Sequence, residues 1–177
     1  MIVKKTKFKG LLIVKQKNNI DRRGNLRETF NDKILKKKFI FEYCTTSKNN
    51  VLRGFHFQTK FKQSKYVNVL KGKILDIVID LRKKSKTFGK VFSIILSKEN
   101  ALGLYIPAGF AHAYYSYDKQ NIIYYKLDNY YAPKYESGIL YSDPIVKIKW
   151  PSKKMLISVK DKKLLSFNEF KRKFGGL

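Results

Sequence analysis

Apolar residues along this chain fall in short, often alternating runs separated by clusters of Gly, Asn, Asp and Ser, the pattern of β-strands between turns. Phe8 to Lys17 is apolar with interspersed lysines, and Asn18-Asn19 and Asp21-Arg22-Arg23-Gly24 break it. Thr29 to Phe39 predicts one short helix capped by Asn31 or Asp32. Strands follow at Phe39–Thr46 and Val51–Gln58. Tyr66–Leu70 and Lys73–Leu81 flank Lys71-Gly72, which predicts a hairpin. In its second arm Ile74, Asp76, Val78 and Asp80 share one face, and Leu75, Ile77 and Ile79 the other. The core is expected on the Leu75 face, with the two carboxylates turned to a polar interior or anchoring a loop. Further strands are expected at Val91–Ser97, Leu102–Pro107, His112–Tyr117, Ile122–Asp128, Gly138–Tyr141 and Val146–Trp150. Ser158 with Asp161 reads as a capping box opening a C-terminal helix toward Lys173. The expectation is one mainly β domain over residues 1–177, a sandwich or barrel of the jelly-roll kind with short flanking helices. Its barrel core covers residues 8–151 and its helical segment residues 158–173.

Composition narrows the class. With 44% hydrophobic and 15% aromatic residues, the 177-residue chain has the material for a real core despite its 29% charged residues. The single cysteine, Cys44, excludes an internal disulfide and a multi-cysteine zinc site, and reads as a small packed residue. Met1–Gly10 alternates lysine with apolar residues and lacks the core of a signal peptide. No stretch approaches the roughly 20 apolar residues of a membrane span. A cytoplasmic protein with no membrane partner is expected. The net charge of +26 comes mainly from lysines spread along the chain, including Lys36-Lys37-Lys38, Lys83-Lys84, Lys153-Lys154 and Lys162-Lys163. That spread reads as a solvated face rather than a nucleic-acid groove, so no nucleic-acid partner is expected, although the field should draw in a small anion such as a nucleotide diphosphate.

The chain has two histidines. His56 lies in Val51-Leu52-Arg53-Gly54-Phe55-His56-Phe57-Gln58 and His112 in Tyr105-Ile106-Pro107-Ala108-Gly109-Phe110-Ala111-His112. Alternation places Arg53, Phe55 and Phe57 on one side of their strand and Gly54, His56 and Gln58 on the other. An isolated histidine on a strand reads first as a hydrogen-bonded core residue; Arg53, Lys65 and the word around His112 shift the reading toward proton chemistry. A metal-binding barrel would need several histidines and a glutamate on adjacent strands, and Phe57-Gln58 follow His56, so no metal is expected. Gly103 and Gly109 stand alone and make no phosphate loop.

An ordered series of words carries a resemblance over Phe8–Asp161. They are Asn50–Gln58, Lys71-Gly72 with Asp76 and Asp80-Leu81-Arg82, Ser85–Lys90, Ile106–His112, Tyr130-Tyr131-Ala132-Pro133, Ile139–Pro144 and Trp150-Pro151. In these words the chain resembles the dTDP-4-dehydrorhamnose 3,5-epimerase family. The resemblance implies a cupin-like jelly-roll barrel, a homodimer, no cofactor, and a nucleotide-linked 4-keto-6-deoxy sugar as substrate. It implies that His56 is the base and that Asp161, in Ser158-Val159-Lys160-Asp161, orients it. Tyr125, followed by Lys126, would be the acid, with Tyr124 on the other side of the sheet by alternation. Lys65, in Gln63-Ser64-Lys65, would stabilise enolate charge. Arg53 and His112 would line the site around phosphate and sugar, and Gln58 joins the substrate-binding group. Arg23 and Glu28 match residues that help hold the nucleotide, partly from the neighbouring subunit. Departures occur at Asn25-Leu26-Arg27 and at Phe41-Glu42-Tyr43, where the family often has Gln-Asp-Asn. They leave a dTDP-hexose and a GDP-heptose both open. The implied activity is inversion at carbons 3 and 5 in surface-polysaccharide sugar biosynthesis. A single-carbon epimerase and a non-catalytic basic barrel that binds sugar or nucleic acid are the alternatives.

Overall fold

The computed structural model describes residues 1–144 and 146–177. Among the described residues fourteen strands and two short α-helices follow in order: β1 (Ile2–Lys5), β2 (Leu12–Lys15), β3 (Lys17–Asp21), β4 (Gly24–Glu28), α1 (Asp32–Leu35), β5 (Phe41–Ser47), β6 (Val51–Gln58), β7 (Lys65–Lys71), β8 (Lys73–Asp80), β9 (Val91–Ser97), β10 (Leu102–Ile106), β11 (Phe110–Ser116), β12 (Asn121–Leu127), β13 (Glu136–Gly138), β14 (Leu156–Ile157) and α2 (Phe167–Phe174). One sheet runs β1-β2-β10-β7-β12-β5 and the other β13-β6-β11-β8-β9, with β14 added in parallel to β6. Between them lies a core that includes Val67, Val69, Ile74, Val78, Leu104, Ile106, Ile123 and Leu127, all at most 1% exposed. This is the mainly β jelly roll that the strand pattern predicts, in the cupin-like form that the resemblance implies.

The Lys71-Gly72 hairpin is a correction. β7 pairs with β10 and β12, and β8 with β11 and β9, so the turn is a corner between sheets. Gly72 makes the corner: its φ is +80° and a Cβ would lie 2.5 Å from Asn121 Oδ1. Asn121 occupies that space and accepts from Lys73 N at 3.0 Å. Turn chemistry in sequence reports a reversal but not which strands pair across it.

Both faces of β8 are buried, so the expectation of a core on the Leu75 face alone fails. Ile74 and Val78 face the core between the sheets. Ile77 and Ile79 join Phe55, Phe57, Phe167 and Phe170 in a second core on the outer side, covered by α2. The carboxylates follow both options: Asp76 meets His112 inside, and Asp80 anchors the β8–β9 loop through Arg82, Ser85 and Thr87.

Other boundaries move. β1 lies outside the predicted strands, and the β3–β4 hairpin occupies the stretch that Asn18-Asn19 and Asp21–Gly24 predict to be a break, since its residues are too polar to show an apolar face. Among the described residues 146–150 there is no strand; Trp150 packs on Phe55 and donates to Tyr141 O at 3.1 Å. α1 starts after Asn31, whose side chain makes no cap. The box that opens α2 is Ser166 with Glu169, whereas Ser158 accepts from Asp161 N at 3.0 Å at the start of a 3-10 turn, Asp161–Lys163. Cys44 is exposed on β5, an edge strand, rather than packed.

Candidate active site

The site begins with a break in alternation. On the β6–β11 ladder His56 lies opposite His112 and Arg53 opposite Tyr114, so three residues of β6 match two of β11. The extra residue is a bulge, and it turns Arg53 and His56 to the same side, correcting the expectation that they face apart. Gly54 makes it possible. Its φ is +118°, and a Cβ would fall 2.5 Å from His112 O and 2.6 Å from Ala113 Cα.

Arg53 and His56 line a cavity of about 590 Å³ together with Tyr43, Lys65, His112, Tyr125 and Asp161. Two walls supply them. β6 and β11 of one sheet carry Arg53, His56 and His112; β5, β7 and β12 of the other carry Tyr43, Lys65 and Tyr125. The Ser158–Asp161 segment closes one side.

His56 Nε2 lies 2.7 Å from Asp161 Oδ1, and the second Asp161 oxygen accepts from Gly54 N at 3.2 Å. Asp161 is 3% exposed. Burial alone would raise its pKa, but the bonds from His56, Gly54 and Ser158 outweigh it and hold the carboxyl below its ordinary value. A carboxylate bonded to one ring nitrogen can hold the imidazole in a single orientation and tautomer. His112 makes a second, more buried pair, with Nε2 3.0 and 2.9 Å from the two Asp76 oxygens.

Tyr125 is 3% exposed, and its ring stacks on Tyr43 at 4.8 Å and meets His112 edge-on at 6.1 Å. Burial pushes its phenol well above the ordinary value, and pushes Tyr43 up to about 12. Tyr124 points the other way, to Glu42, as alternation requires. Lys65 has no ion pair within 4.0 Å among the described residues. Burial lowers its pKa to about 8, against the pull of Glu136 and Asp76.

Three expected site residues lie elsewhere. Gln58 is in a recess of about 80 Å³ beside the cavity, with its amide donating to Phe61 O at 2.7 Å and accepting from Ala132 N at 2.7 Å. It staples two loops. Arg23 and Glu28 sit on the β3–β4 hairpin, away from the cavity lining: Arg23 pairs with Asp21 at 2.7 Å and Glu28 accepts from Asn31 at 2.6 Å. Sequence reasoning missed Tyr43 and Lys160 in the cavity and Glu136 in the recess, where Glu136 binds Lys160 and Tyr131. Tyr43 had a signal in its word, but its place opposite Tyr125 exists only once β5 and β12 pair.

A family model described as dTDP-4-dehydrorhamnose 3,5-epimerase matches residues 5–169. The chain is 39% identical to a dTDP-4-dehydrorhamnose 3,5-epimerase of Methanothermobacter thermautotrophicus over 89% of its length and 90% of the relative's. It is 38% identical to that of Shigella flexneri, covering 91% and 93%. A crystal structure of a dTDP-6-deoxy-D-glucose-3,5-epimerase from Legionella pneumophila, in complex with dTDP-4-keto-L-rhamnose, superposes with a TM-score of 0.92 at 33% identity, covering 98% and 96%. The chain belongs to the dTDP-4-dehydrorhamnose 3,5-epimerase family.

Proposed function

We propose that the protein is an isomerase that inverts carbons 3 and 5 of a dTDP-linked 4-keto-6-deoxy sugar, with His56 as base, Tyr125 as acid and Lys65 as the cation at the keto oxygen. The observation that carries this is the two-walled cavity: the Asp161-held imidazole hangs from one sheet, and the buried phenol and unpaired ammonium from the other.

The chemistry follows from the ketone. A proton on a carbon beside a carbonyl is weakly acidic, and its removal sends an electron pair onto the carbonyl oxygen. His56 takes the proton and becomes an imidazolium beside Asp161. The Lys65 ammonium meets the enolate oxygen, a preorganised charge whose stabilisation is stronger in the transition state than in the ground state. Inversion requires the new proton from the opposite side, and Tyr125 supplies it. Its raised pKa keeps the phenol protonated until the carbanion takes the proton, after which solvent returns a proton to Tyr125 and accepts the one held by His56. Arg53, donating to Ser47 Oγ at 3.2 Å, and His112, held by Asp76, flank the same space as substrate-binding groups. The dTDP complex of the Legionella relative supports the thymidine nucleotide over a guanosine one.

A homodimer belongs to this reading. The β3–β4 hairpin carries Arg23 and Glu28 away from its own cavity and exposes Ile20 at 77% and Leu26 at 69%. A second copy would cover those side chains and receive the two charged ones at its own cavity.

Turnover in deuterated water tests the proposal. Label should enter at both carbon 3 and carbon 5 of the product, and His56→Ala should lower turnover by about 10²–10⁴ while the fold survives. Label at one carbon only overturns double inversion; unchanged turnover in the variant removes His56 as the base.

A further inference from the structure

A second large cavity lies between the β1–β2 loop and the β8–β9 loop, of about 760 Å³, and shares no lining residue with the catalytic one. Lys7, Lys9, Lys83, Lys84 and Lys86 line it with Arg82, and no carboxylate lies in the lining apart from that of the chain end at Leu177. None of the five lysines has an ion pair within 4.0 Å among the described residues, Leu177 included. All five are exposed.

The loop that presents three of them is tied down by a buried carboxylate. Asp80, 0% exposed, accepts from Arg82 N at 3.1 Å, Arg82 Nε at 2.9 Å, Arg82 Nη2 at 2.7 Å, Ser85 Oγ at 2.6 Å and Thr87 Oγ1 at 2.6 Å. Arg82 also reaches across to Lys9 O at 2.7 Å, tying the two loops together, and stacks on Phe110 at 4.5 Å. The backbone amides at 83, 85 and 87 to 90 are bonded within the protein, whereas those of Lys84 and Lys86 have no partner among the described residues. Asp80 and Arg82 neutralise each other, so five ammonium charges stand around the concavity against the one chain-end carboxylate of Leu177.

We propose that this cavity is a second binding site, for a compact oligophosphate. Its volume is in the range of about 300–1,000 Å³ that small-molecule sites occupy, and its concave form favours a compact ligand over an extended duplex. Like charges held together at a low-salt surface repel one another, and a ligand bearing several phosphates relieves that repulsion at every lysine at once. Spread lysines elsewhere on the chain attract any anion weakly; here five lysines around one cavity select for charge density.

Calorimetric titration of the whole protein with inorganic tripolyphosphate tests this, with and without saturating dTDP. Two triple variants with the same loss of charge are compared: Lys83→Gln/Lys84→Gln/Lys86→Gln in the loop, and Lys48→Gln/Lys98→Gln/Lys119→Gln at exposed positions outside it. The expected result is one dTDP-insensitive site, weakened about tenfold or more by the loop variant and about twofold or less by the other. Epimerase turnover should be unchanged in both, which separates this site from the catalytic one. Equal weakening by the two variants shows a diffuse field and overturns the proposal. Displacement of tripolyphosphate by dTDP assigns the binding to the catalytic cavity and overturns it as well, as does the absence of binding.

Discussion

Lys65 is the residue whose environment makes the sharpest demand. Burial brings its pKa from 10.5 to about 8, so the charge proposed to face the enolate is lost as the pH rises through about 8. kcat/KM should therefore fall on the alkaline side near pH 8, well before Tyr125, pushed in the opposite direction, gives up its proton. The contribution of Lys65 to stability has the other sign. The fold disfavours its charged form, so this penalty is full below about 8 and disappears as the pH approaches the ordinary 10.5. Lys65→Arg keeps the charge and should carry the alkaline limb beyond pH 10 at a lower rate, since a guanidinium does not lose its proton there. A pH–rate profile with the same limb in the variant would assign that limb to another group. The types of these residues were legible in sequence: His56, Lys65, Tyr125 and Asp161 all line one cavity. Tyr125 and Asp161 were legible only by resemblance; the word of Asp161 reads as a helix cap and its partner is 105 positions away. The pairing of Glu136 with Lys160 was beyond reach for the same reason, since Lys160 lies 24 positions on.

At the scale of the element, the site depends on the bulge in β6. Strict alternation puts Arg53 and His56 on opposite faces; one extra residue puts them on the same face. Periodicity predicts a strand well and a bulge poorly, because a bulge is a property of the ladder and not of one strand. Gly54 was its trace in the sequence, and the structure explains it by both φ and proximity. Gly54→Ala should then destabilise the protein by about 3 kcal/mol or more, since the new methyl meets backbone on β11 that is fixed by its own pairing. Gly24→Ala is the comparison: its φ of +135° is as unusual, but nothing lies within 4 Å of the added Cβ. Backbone conformation alone should cost it about 1–2 kcal/mol. Denaturant titration of the two variants separates the effects, and equal losses would mean that the close approach to β11 carries no weight. The same limit of one-strand reasoning produced the false hairpin at Lys71-Gly72: β7 and β8 are neighbours in sequence, and each finds its partners elsewhere.

At the scale of the whole molecule, the arrangement that needs explaining is the distance between the two sets of expected binding residues. The cavity gathers Arg53 and His112 with the proposed catalytic groups, whereas Arg23 and Glu28 ride on a hairpin whose apolar side chains Ile20 and Leu26 stand in solvent. Strand pattern alone gave no reason for such a hairpin, since a polar ribbon without an apolar face gains little by folding onto its own barrel. It gains a purpose if it is completed by a second copy, and complementation tests this directly. In a dimer that exchanges hairpins, the Arg23→Ala chain supplies His56 to a cavity served by the hairpin of its His56→Ala partner. One of the two sites in each mixed dimer is then intact, although both parent proteins are impaired. Mixing the two variants under conditions that allow subunit exchange should restore activity to about one quarter of the natural level, because about half of the dimers are mixed and each has one working site. If each hairpin serves its own cavity, every site in the mixture lacks either Arg23 or His56, and activity stays at the average of the two parents. Sedimentation of the mixture, run beside the assay, fixes whether the molecules that regain activity are dimers.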